Sequence, residues 1–158
     1  MIEDASKPEG IGGWLILVAI GLCVQPMLLL KAIADNVAIF DPDTWRALTT
    51  PGAPAYHPLW APLLLGETGV NLVLFAWSGV LLYVFFAKKR GFPRLVVAYM
   101  GVSVAAVLAD LALARAIPSA QAHLTASDYR QVGRSAISAA VWIPYFLRSR
   151  RVAATFVH

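Results

Sequence analysis

The chain has 158 residues, of which 59% are hydrophobic and only 14% charged, and its mean hydropathy is +0.67. A soluble domain carries roughly 25% charged residues, so there is too little charge here to cover a water-facing surface, and the apolar residues fall in blocks rather than being dispersed. The net charge of +4 does not point to nucleic acid, because the basic residues cluster at the ends of those blocks, where they face lipid headgroups.

A hydrocarbon core about 30 Å thick needs roughly 20 apolar residues in a helix, and four stretches of the chain are read as spans. The first runs from about Gly12 to Leu30, between Glu9 and Lys31, with Pro26 placed to kink it. Its acidic n-region (Glu3, Asp4 and Glu9, beside Lys7) and its length argue against a cleaved signal peptide, although Ala32-Ile33-Ala34 imitates a cleavage site. Cys23 stands alone within it and has no intramolecular disulfide partner.

The segment from Lys31 to Leu59 contains Pro42, Pro51, Pro54 and Pro58 and is read as a long loop lying on the membrane, with Trp45, Tyr56 and Trp60 as interfacial aromatics. The second span runs from Trp60 to about Ala87 and stops at Lys88-Lys89-Arg90. A third covers about Leu95 to Ile117, bounded by Arg94 and Pro118. The loop from Pro118 to about Ala126 is short and polar. The fourth span, about 128–147, has a clean apolar run only from Ala136 to Leu147, so its helix must begin near Ser127 or Asp128, which are good N-caps, and it carries Arg134 inside. Pro144 would kink it.

Lys88, Lys89, Arg90, Arg94, Arg148, Arg150 and Arg151 fall on one side of this arrangement and Lys31, Arg46, Arg115 and Arg130 on the other. The excess places the central loop and both termini in the cytoplasm. The expected architecture is an all-α, polytopic membrane protein: a four-transmembrane-helix bundle, N-in and C-in, forming a single integral domain.

Ionisable groups inside spans are costly and mark functional candidates. At 1.5 Å per residue, Glu67, Asp110 and Arg134 each lie roughly 10 Å below the outer surface, with Gln25 in the same layer. Glu67, Asn71 and Ser78 have i, i+4, i+11 spacing and share one face of the second helix, opposite Leu65, Leu72 and Phe86. Gln25, Glu67, Asn71, Asp110 and Arg134 therefore form a candidate intramembrane polar cluster, in which Arg134 can satisfy one or both acids. Two readings stay open: a proton-responsive or cation-binding site opening outward, and a polar knot that fixes helix register. Gly66 and Gly69 are read as close helix contacts.

His57, His123 and His158 have no metal-ligand spacing, and no nucleophile elbow or phosphate-cradling loop is present, so no metal, cofactor or catalytic residue is expected. Trp142, Tyr145, Arg148, Arg150, Arg151 and Phe156, near the C-terminus, suit contact with lipid or with a protein partner.

Gly10-Ile11-Gly12-Gly13-Trp14-Leu15, entering an apolar span with Pro26, and Trp142-Ile143-Pro144-Tyr145-Phe146-Leu147-Arg148-Ser149-Arg150-Arg151-Val152, followed by Thr155-Phe156-Val157, together resemble the YdgK-like family of small bacterial inner-membrane proteins. The resemblance extends through Glu67, Asn71 and Phe92-Pro93. Ala153 departs from it, where the family often has a basic residue. The resemblance implies four transmembrane helices, a bacterial inner-membrane location and an unknown function. The functional expectation is a non-enzymatic accessory or interaction subunit of a larger membrane complex. The alternative is a small oligomeric transporter or proton-linked channel using the polar cluster, with a membrane-embedded enzyme as a third reading. The partners expected are the lipid bilayer and either other membrane proteins or further copies of the chain.

Overall fold

The computed structural model describes residues 10–157. Glu3, Asp4, Lys7, Glu9 and His158, used above, lie outside the described residues. Among those described, all regular structure is helical: α1 (Trp14–Val37), a 3-10 turn (Ala38–Phe40), α2 (Pro42–Thr49), α3 (Trp60–Phe86), α4 (Phe92–Ala116), α5 (Pro118–Gln121), α6 (Ala126–Arg148) and α7 (Arg150–Thr155).

The four long helices pack in chain order, α1 on α3, α3 on α4 and α4 on α6. Gly10, the start of α1, the α3–α4 turn and α7 gather at one end, called proximal here; α2, α5 and the start of α6 lie at the distal end. Three helical stretches, Trp14–Phe40, Trp60–Phe86 and Phe92–Ala116, are long and apolar enough to cross a membrane. Large apolar side chains stand exposed around them, among them Met27, Leu65, Leu72, Val73, Tyr83 and Leu108. Helix α6 has 23 residues and is about 34 Å long at 1.5 Å per residue, but Asp128, Arg130, Gln131 and Arg134 in its first turns lower its hydropathy.

Helix ends depart from the sequence reading for local reasons. Helix α1 continues past Lys31 to Val37, and Lys31 Nζ meets Asp35 Oδ2 at 2.6 Å, one turn on. The 31–59 segment is not an irregular loop throughout: Asp41 caps α2 by accepting from the Asp43 and Thr44 N–H groups, and Pro42 occupies the first helical position. Helix α4 begins at Phe92, with Pro93 in its first turn. The cap of α6 is Thr125 rather than Ser127 or Asp128; the Thr125 N–H and hydroxyl both donate to the Asp128 carboxylate, at 2.7 and 2.8 Å. Helices α1 and α6 run on through Pro26 and Pro144. Helix α3 ends in a Schellman motif, in which Lys88 N–H donates to Phe85 O and Lys89 N–H to Val84 O, with Lys88 itself left-handed at φ 51°.

The tightest core is at the proximal end. Phe92 stacks on Phe156, with ring centroids 4.5 Å apart; Phe85 lies 5.0 Å from Phe92 and 5.6 Å from Phe156; Phe146 lies 5.7 Å from Phe92. Leu15, Leu81, Phe85 and Phe92 are fully buried around this aromatic cluster.

Candidate functional site

Above the aromatic cluster the helices part. Helices α1 and α6 meet at their proximal ends, where the Trp14 ring lies edge-on to Trp142 at 6.2 Å, and do not pack on each other along their length. Between them is a cavity of about 420 Å³ lined by all four long helices. Its size falls in the range of small-ligand pockets, roughly 300–1,000 Å³.

The polar lining comes from helix register. On α3, Glu67 and Asn71 face the cavity one turn apart, and Ser78, on the same stripe, is fully buried with its hydroxyl donating to Phe75 O. Helix α4 contributes Asp110 and Ser103, α1 contributes Gln25, and α6 contributes Gln131 and Ser135. Counted from the distal helix ends, Glu67, Asp110 and Gln131 are five to seven residues in, a common layer about 8–10 Å deep.

Four of the five sequence candidates, Gln25, Glu67, Asn71 and Asp110, are brought together; Arg134 is not among the lining residues. At about 100° per residue, Arg134 is rotated about 60° from Gln131 and about 100° from Ser135, and its side chain is exposed. Gln131 and Ser135 occupy the place given to Arg134 above, and the i, i+4 spacing was the sequence signal for them. Gly66 lines the cavity, and a Cβ at Gly66 or Gly69 would meet no atom within 4 Å, so neither glycine marks a close helix contact.

The two carboxylates therefore have no arginine between them. The Lys31–Asp35 pair is the one ion pair among the described residues, and it lies exposed on α1. The charges that act most on Asp110 are Glu67 and Asp128, both acidic. A smaller cavity of about 50 Å³ continues from Asp110 to Asp128 and Gln131. Tyr99, which does not itself line the larger cavity, is 7% exposed, with its hydroxyl beside the side chains of the lining residues Gln25 and Ser103. No group of three or more His, Cys, Asp or Glu side chains stands in metal-binding proximity among the described residues.

The C-terminal candidates divide. Phe156 is 4% exposed and Trp142 and Tyr145 are half-buried against the core, so these three are largely spent on internal packing; Arg148 and Arg150 remain exposed. Arg151 lies over the Gly12–Gly13 turn, the Thr155 hydroxyl donates to Gly10 O at 3.2 Å, and Arg90 Nε donates to Val157 O at 2.6 Å. The glycine-rich entry to α1 and the Trp-Ile-Pro-Tyr-Phe-to-Val157 segment, 130 residues apart in sequence, are thus two sides of one clasp.

Fold and site together define an all-α protein with membrane-type apolar helices and an acidic cavity. The chain belongs to the DUF2569 family, described as proteins of unknown function, whose family model matches residues 8–157. No curated protein and no solved structure matches it.

Proposed function

We propose that this is a non-enzymatic, multi-pass protein of the bacterial inner membrane that takes up a cation or a proton in the cavity between α1 and α6, as a small cation- or proton-linked transporter. In this reading α1, α3, α4 and α6 are the four spans and the proximal end is cytoplasmic. The gathering of Lys88, Lys89, Arg90, Arg94, Arg148, Arg150 and Arg151 at that end supports it. Within its family, kinship with the YdgK-like proteins is part of this reading, supported by the sequence resemblance of the two clasp segments.

The observation that carries the reading is the pair Glu67 and Asp110 facing one cavity without a neutralising side chain. A structural knot would pair them; two carboxylates at the depth of the hydrocarbon core with no basic group beside them draw a proton or a cation from outside the protein. The closed side of such a transporter is the aromatic cluster of Phe85, Phe92, Phe146 and Phe156. Proteoliposomes loaded with a pH-sensitive dye, in sodium, potassium or choline buffers, test this. The native protein gives ion-dependent flux above that of protein-free vesicles, and the Glu67→Gln/Asp110→Asn double variant, eluting at the native volume, gives none. Equal flux from native and variant protein contradicts the proposal.

A second reading, an accessory subunit of a larger membrane complex or of a homo-oligomer, is favoured by Arg134. Its exposed side chain sits at the depth of the acid pair, on a helix not apolar enough to meet lipid all round, and an acidic or hydroxyl-bearing helix of a neighbour would satisfy it. Co-purification of a stoichiometric partner at native expression levels in mild detergent, lost on Arg134→Gln, is the outcome expected of that reading.

A further inference from the structure

Resting on the reading of Glu67 and Asp110 as a cation-binding pair, we propose that the occupant of the cavity is a lipophilic amine: a cationic head between the two carboxylates and an apolar body that enters sideways from the bilayer between α1 and α6. A bare ion does not account for the shape of the cavity. Its lining on α3 extends from Pro62 to Leu74, about 18 Å along the axis at 1.5 Å per residue. Most of that length is aliphatic, from Leu29, Val70, Leu74 and Val107. Metal cations are held by compact sets of oxygen ligands, whereas a long, mostly apolar cavity with a few placed polar groups is the form of a site for an organic molecule.

The route of entry follows from the packing. Helices α1 and α6 touch only near Trp14 and Trp142, so the side of the cavity between their distal halves has no helix across it, and the rim residues Leu28, Asp110 and Gln131 are exposed. A ligand dissolved in the bilayer reaches the acids by that gap. The charge of the ligand follows from the lining, which holds two carboxylates and no basic residue.

Native mass spectrometry from neutral detergent micelles tests the proposal with three probes: dodecylamine, dodecanol and methylammonium. The native chain is expected to retain one dodecylamine, with occupancy by dodecanol and methylammonium lower by about tenfold or more, the scale of a charge-assisted hydrogen bond. Glu67→Gln/Asp110→Asn is expected to lose dodecylamine by a similar factor. Should that variant not fold, Leu28→Trp, at the exposed rim and away from the acids, obstructs the gap and is expected to give the same loss. Equal retention of dodecanol, retention of dodecylamine by the double variant, or no retention of dodecylamine by the native chain overturns the proposal. Methylammonium retained as well as dodecylamine, and lost in the double variant, overturns the amphiphile while leaving the cation site standing.

Discussion

Two residues carry backbone conformations that their side chains either suit or oppose. Gly13, the residue before α1, has φ 56° and ψ −130°, a combination that residues with a Cβ avoid, and a Cβ there would also overlap Arg151 Nη1. Since the guanidinium is the far end of a flexible side chain and can move, the backbone dominates. Gly13→Ala is expected to cost about 1–3 kcal/mol, and Arg151→Ala in the same chain does not restore it. Lys88, held left-handed in the Schellman turn at φ 51°, is the converse case: Lys88→Gly is expected to gain up to about 1 kcal/mol. Unfolding in mild detergent, followed by circular dichroism, reads both changes. Gly13 stood out in the sequence as part of a glycine-rich helix entry. The conformation of Lys88 did not, because the hydrogen bonds that end α3 impose it and the residue type does not.

At the scale of elements, helix positions were legible wherever a long apolar run ended in charge or proline. Trp60–Phe86 differs from its sequence reading by one residue. The short helices were harder. The signature of α2, Asp41-Pro42-Asp43-Thr44, was present, but the prolines around it read as loop; α7 owes its place to burial of Val152, Thr155 and Phe156 against the core, a long-range effect. The face of α6 was the consequential miss. Gln131, Ser135, Ser138 and Trp142 follow i, i+4, i+7, i+11, yet the charge on Arg134 drew attention to the wrong side of the helix. Because the hydropathy of α6 falls short of that of the other long helices, its crossing of the membrane is a specific prediction. In a Cys23→Ser background, Ala126→Cys should react with a membrane-impermeant maleimide in intact cells, and Lys89→Cys and Ser149→Cys only in inverted vesicles. Labelling of Ala126→Cys and Ser149→Cys from the same side would leave α6 on the surface.

Over the whole molecule, the two ends have opposite chemistry. The proximal end is closed by four phenylalanines and tied by the clasp of Gly10–Gly13 with Arg151 and Thr155. The distal half is open between α1 and α6 and holds two acids with no basic group between them. The layer of Glu67 and Asp110 could be read from the sequence by counting rise per residue; Gln25, expected in that layer, lies deeper, beside Ser103, because α1 runs on to Val37, and the gap could not be read, because it depends on α1 and α6 failing to pack, which no local pattern encodes. The most direct test of an accessible acid pair is labelling with a lipid-soluble carbodiimide in native membranes, followed by peptide mass spectrometry. Covalent adducts are expected on Glu67 or Asp110, with dodecylamine protecting them. Labelling that spares both residues while modifying Asp35, Asp41 or Asp43 at the distal surface would contradict the acidic cavity as a site reached from the bilayer.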